Sequence, residues 1–80
     1  MSRKRTPHTK ETACRTVAKG LQDWGYPETT TAMVREILDA WLAGKRGDDL
    51  PHGVIGAFAE SQFNEIESER PGALAAMEDK

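Results

Sequence analysis

Between Thr29 and Gly44 the chain carries one unbroken apolar stripe at helical spacing, and this stripe restricts the available folds more than any other feature. Met33, Val34, Ile37, Leu38, Trp41 and Leu42 follow at i, i+1, i+4, i+5, i+8 and i+9, which puts all six on one side of a 3.6-residue period. Thr31, Arg35, Glu36 and Asp39 take the other side. Each of these large side chains gains roughly 1.5–3 kcal/mol from full burial. The segment must therefore be covered, and two other stretches of the same chain are suited to cover it.

The first is a helix predicted from about residue 9 to residue 24, whose apolar face holds Ala13, Cys14, Val17, Ala18, Leu21 and Trp24. The Thr9 hydroxyl can accept a bond from an unpaired N–H of its first turn. Gly20 weakens the helix by about 1 kcal/mol relative to Ala and sits at the border of the apolar face, where another helix could come close. Gly25 is the stop signal, because a residue just past a helix end adopts the left-handed conformation that Gly accepts without steric cost. Tyr26 is then predicted to fold back over Leu21. Pro27 suits the opening turn of a new helix, so the central helix is predicted over about 28–43, with Glu28 against the positive end of its dipole. The short connection makes these two helices antiparallel neighbours.

The second covering stretch follows Gly44, which stops the central helix, and the polar loop 45–49. A third helix is predicted over about 50–69, capped by Asp49 with Pro51 in its opening turn. Gly53 and Gly56 leave a start as late as Val54 open. Val54, Ile55, Phe58, Ala59, Phe63 and Ile66 form its apolar side, and Pro71 ends it by Arg70. Residues 73–77, ALAAM, either add a turn that presses Leu74 and Met77 onto the bundle or fray. The expected fold is all-α: a small three-helix bundle over residues 9–70, with a disordered basic arm at 1–8 and a short tail at 71–80.

Eighty residues lie near the lower limit for a self-sufficient core. A single cysteine cannot form an intrachain disulfide and points to a reducing, cytoplasmic setting. No apolar run approaches the ~20 residues that span a bilayer. The basic start runs on into Thr, Pro, His and Lys where a secretory signal needs an apolar segment, so an unexported chain is expected. The net charge of −2 is unevenly spread. Residues 1–20 set six cations against Glu11, a net of +5, and residues 21–80 set five cations against twelve acids, a net of −7.

Catalytic patterns are missing from the sequence. His8, His52 and Cys14 do not have the spacing of a metal site or of a Cys–His pair. Cys14 lies on the apolar face of its helix, where a free thiol behaves as a small hydrophobe. Serines are few and no glycine-rich phosphate loop is present. A non-enzymatic protein without cofactor or metal is expected.

Nucleic acid is one candidate partner. Arg3, Lys4 and Arg5 can lie along phosphates, and Lys10, Arg15 and Lys19 would extend that stripe on the first helix. In a helix-turn-helix arrangement Thr29, Thr30, Thr31 and Arg35 would approach bases. Against this, Glu28, Glu36 and Asp39 repel phosphate from the same helix, and the body as a whole is acidic. The segment GYPETTTAMVREILDAWLAG also resembles the second helix of ribbon-helix-helix repressors. Those repressors read DNA with a strand ahead of the first helix, and MSRKRTPHTK lacks strand alternation. A DNA-binding regulator using the arm and the first helix is the alternative reading.

A protein partner accounts for more of the features. Trp24 and Tyr26 flank a helix end, where complete burial is hard, and both residue types are enriched at binding hot spots. Trp24-Gly25-Tyr26-Pro27 resembles the Met-Gly-Phe/Tyr loop through which ubiquitin-associated domains bind their partners. More broadly, KRTPHT, YPETTTAMVREILDAWLAGKRGD and LPHGVIGAFAESQF resemble small accessory proteins encoded by phages of mycobacteria and related actinobacteria. That resemblance implies a bacterial cytoplasm and a host protein as target. The expected function is non-catalytic binding of a host protein, with Trp24 and Tyr26 as anchors and Arg3, Lys4 and Arg5 aiding encounter. Homodimerisation would add burial to so small a core.

Overall fold

Thr9 opens α1 (Lys10–Asp23) with a reciprocal cap: its hydroxyl accepts from the Thr12 N–H at 3.2 Å, and its own N–H donates to the Thr12 hydroxyl at 3.2 Å. In the computed structural model, which describes residues 9–77, α1 is followed by α2 (Thr31–Leu42), a single 3₁₀ turn at Gly47–Asp49, α3 (Gly53–Glu69) and the short α4 (Ala73–Ala76). The three long helices form a small all-α bundle, and no strand forms among the described residues. The expected arm at 1–8, with Arg3, Lys4 and Arg5, and the last three residues of the tail lie outside the described residues.

Both stop signals work through the same local geometry. Gly25 has φ +123°, the Tyr26 N–H donates to the Leu21 carbonyl at 2.9 Å, and the Gly25 N–H donates to that of Gln22. At the end of α2, Gly44 has φ +100°, the Lys45 N–H donates to Ala40 and the Gly44 N–H to Trp41, each at 3.0 Å. Either pair satisfies carbonyls that a helix end otherwise leaves unpaired.

α2 starts later than expected, and α3 starts at Gly53, inside the range down to Val54 that the sequence leaves open, but without the expected roles of Asp49 and Pro51. Pro27 does not enter α2; it is the second residue of a turn closed by the Thr29 N–H donating to the Tyr26 carbonyl at 3.0 Å. Thr30 then caps α2, accepting from the Met33 N–H at 3.1 Å, so Glu28 lies outside the first helical turn. Asp49 belongs to the 3₁₀ turn and caps nothing in α3, and Pro51 precedes the helix. The chain enters α3 through two left-handed residues, His52 at φ +72° and Gly53 at φ +56°. That sharp entry follows from close packing: Gly56 lies against the Pro51 carbonyl, leaving no room for a side chain.

The core draws on every helix. Cys14 and Ala18 of α1, Val34, Ile37 and Leu38 of α2, Ala59 and Phe63 of α3, and Leu74 of α4 are all closed to solvent, with Leu50 from the connecting loop beside them. Of the central stripe, Trp41 is also buried, and Met33 and Leu42 are partly buried at its edges. The tail thus forms its turn, with Leu74 as its anchor and Met77 partly buried. Trp41 lies deep in the bundle, yet its indole N–H donates to Asn64 Oδ1 at 3.1 Å, and the Arg46 guanidinium sits 4.2 Å above its ring while donating to the Trp41 carbonyl. From there the loop doubles back along α3, the Gly47 N–H reaching Glu60 Oε1 at 3.3 Å. Among the described residues no helix is long and apolar enough to cross a membrane.

Candidate functional site

Trp24 occupies the C-cap of α1, its backbone fixed by bonds from its N–H to the carbonyls of Gly20 and Leu21. Its indole is left largely outside: 66% of the residue is exposed. The ring is nevertheless held in place. It meets the Phe58 ring edge-on, with centroids 4.7 Å apart and planes at 84°, a favoured geometry for aromatic pairs. Tyr26, from the turn after α1, approaches the same Phe58 ring at 5.3 Å and is half-buried, so of the two expected anchors Trp24 is the open one. Val54, one turn ahead of Phe58 in α3, is 57% exposed, contrary to its expected place in the core. Val54 lines a separate, smaller hollow with Gly47, Asp48 and Leu50, whereas Trp24 and Phe58 make an apolar surface with a rigid aromatic centre.

This surface continues into an open groove of about 890 Å³ along the seam between α1 and α3. The groove runs from Trp24 and Phe58 past Gly20, Val17 and Ile66 to Met77 beside α4. Gly20 was expected to admit a neighbouring helix. Among the described residues none comes near: a Cβ built there meets nothing within 4 Å. The border glycine therefore forms an uncovered part of the groove wall.

The sequence pattern marks Phe58 and Ile66 as core rather than as binding residues, although it carries a signal of their exposure. Val54 and Phe63 are nine residues apart, which on a 3.6-residue period is half a turn of the circumference. An apolar arc that wide exceeds what one neighbouring helix covers. In the fold, Ala59 and Phe63 are buried, and Phe58 and Ile66 are left half-open to the groove.

The expected basic stripe on α1 is not assembled. Lys10 and Lys19, nine residues apart, fall on opposite sides of the helix, and Arg15 is paired with Glu11 at 2.7 Å. The residues of the helix-turn-helix reading are also engaged internally. Thr29 is buried, Thr30 caps α2, and Arg35 pairs with Asp39 at 3.4 Å.

Titratable chemistry is sparse. Cys14 is closed to solvent, and burial pushes its thiol up to about 11, with Asp39 pushing the same way and Arg35 and Lys10 opposing. Such a thiol stays protonated and packs as a small hydrophobe. His52 pairs with Glu36, tying the head of α3 to α2. Among the described residues no three His, Cys, Asp or Glu side chains come together in a way that could hold a metal ion. Comparison with known proteins finds no matching family model, no matching curated protein and no matching solved structure.

Proposed function

We propose that this protein is a non-catalytic binding module that holds a partner protein through the surface centred on Trp24, and that it acts as a phage-type accessory protein on a host protein in a bacterial cytoplasm. The single observation that carries the binding reading is Trp24 itself: a large side chain, mostly open to solvent, yet braced by Phe58 on a helix end of fixed backbone. A side chain already held in place loses little conformational freedom on binding, so most of its burial counts toward affinity. Tryptophan is also the residue type most often found at the centre of binding interfaces. Phe58, which lines the same groove, enlarges the apolar contact, and Tyr26 braces Phe58 from the turn after α1. The host and the accessory role are supported by the sequence resemblance.

The test is capture from an actinobacterial lysate by the tagged full-length protein, followed by repetition with the purified partner. Wild type should retain a defined protein, and Trp24→Ala should release it. Equal capture of that protein by both sinks the reading. Retention on duplex DNA that falls steeply with salt and disappears when Arg3, Lys4 and Arg5 are changed to Ala would replace it with the regulator alternative.

A further inference from the structure

We infer that α4 is a strap that opens and shuts while the bundle stays folded, and that opening it lengthens the α1–α3 groove; this does not depend on what Trp24 binds. The chain makes a hinge ahead of it. Pro71 cannot extend α3, and Gly72, at φ +83°, takes the left-handed backbone that turns the following residues back onto the bundle. Alanines over 73–76 favour a helix, but four residues are too few to hold one without support. That support comes mainly from one side chain. Leu74 is closed to solvent, Ala73 and Met77 are half-buried, and Ala75 and Ala76 are exposed.

Hydrogen bonding points the same way. The Gly72 N–H donates to Glu67 Oε2 at 2.7 Å, the Ala73 N–H to the Arg70 carbonyl at 2.9 Å and the Ala76 N–H to the Gly72 carbonyl at 3.0 Å. Every one of these partners lies within five residues of its donor, so among the described residues no hydrogen bond ties α4 to α1 or α2. The other connections reach farther: the Gln22 side chain spans the α1–α2 turn to the Thr29 carbonyl, and the Gly47 N–H crosses to Glu60 of α3. One buried leucine, part of a methionine and three short-range hydrogen bonds outweigh the conformational entropy of residues 72–77 only modestly, so α4 detaches far more readily than the bundle unfolds. Ala73 and Met77 also line the groove. With the strap shut, Leu74 fills the apolar surface at that end. With it open, the groove runs on into that surface, and the apolar length offered to a partner grows.

The experiment follows native-state hydrogen exchange of the unaltered full-length protein at rising sub-denaturing urea. The Gly72, Ala73 and Ala76 amides should exchange about 100-fold or more slower than in an unfolded chain, yet at least about ten-fold faster than those of Ile37, Leu38 and Phe63. Their rates should depend little on urea, because opening the strap exposes little surface. Slowing of less than about 100-fold means that α4 is not held shut. Rates within about ten-fold of the core's, or an equally steep urea slope, mean that it opens only with the whole bundle. Either result overturns the inference. Thiol chemistry reads the same opening: in Leu74→Cys the introduced thiol should react with a bulky alkylating reagent at least about ten-fold faster than Cys14, which is closed to solvent in the same molecule and reports opening of the core. Equal labelling of the two thiols overturns the inference as well, and if this variant does not fold, exchange in the unaltered chain decides.

Discussion

Trp24 and Phe58 stand edge to face at 4.7 Å, and the contact splits their roles: Phe58 faces both the core and the groove, whereas Trp24 rests on it with most of its surface outside. Removing each ring should therefore have different effects. Trp24→Ala should cost about 1 kcal/mol of stability or less, the value of one aromatic pair, while abolishing partner capture. Phe58→Ala removes support from two rings and opens a cavity, and should cost about 2 kcal/mol or more. Urea unfolding of both variants checks the order; a Trp24→Ala loss equal to that of Phe58→Ala would make the indole structural.

Gly56 should tolerate no side chain. A Cβ there would stand 2.2 Å from the Pro51 carbonyl oxygen, a backbone atom held by the tight entry to α3. Gly56→Ala should destabilise by upwards of about 2 kcal/mol despite alanine's better helix propensity. Gly20→Ala, where the added methyl meets nothing, should stabilise by about 1 kcal/mol. Thermal melts of the two variants should move in opposite directions.

Thr29 is buried and its hydroxyl has no partner among the described residues, while its carbonyl accepts from the Gln22 side chain at 2.7 Å. Thr29→Val keeps the shape and removes the unsatisfied group, so it should raise stability by about 1 kcal/mol. Thr29→Ser keeps the hydroxyl, deletes the methyl, and should lower stability by a similar amount. A valine variant that unfolds at lower denaturant than wild type would contradict the unpartnered hydroxyl.

Leu74 is anchored with no solvent exposure although α4 is only four residues long. Leu74→Ala should cost about 2–4 kcal/mol, a large share of what so small a domain has. Calorimetry should show a fall of many degrees, at about 4–8 °C per kcal/mol. A shift of a degree or two would make α4 an appendage.

Cys14 should make stability fall in strong base. Its thiol is held near 11 in the fold against 9.0 when unperturbed. Below pH 9 both states keep the proton and nothing is lost. Between about pH 9 and 11 the unfolded chain ionises and the folded one does not, so stability drops by at most about 1.4 kcal/mol per pH unit. Cys14→Ala cannot ionise there, and the difference between the two stability–pH curves isolates the thiol. Parallel curves up to pH 11 would contradict its burial.

The three long helices, the Thr9 cap and the stops at Gly25 and Gly44 were legible in the sequence because each depends on residues within a turn or two of itself. The start of α2 was not, because Pro27 suits a turn as well as a helix; for α3 the sequence left a start anywhere from Leu50 to Val54 open, and the structure, with Gly56 packed against Pro51, has the entry at Gly53. The groove depended on tertiary structure too. Periodicity shows which residues are apolar on a helix, but only the placement of neighbouring helices decides how much of that arc is covered. The sequence by itself made Trp24, Phe58 and Gly20 members of apolar faces. The packing of α2, α3 and α4 closed Ile37, Phe63 and Leu74 from water and left Trp24 in the open, because α1 and α3 leave a groove along their seam.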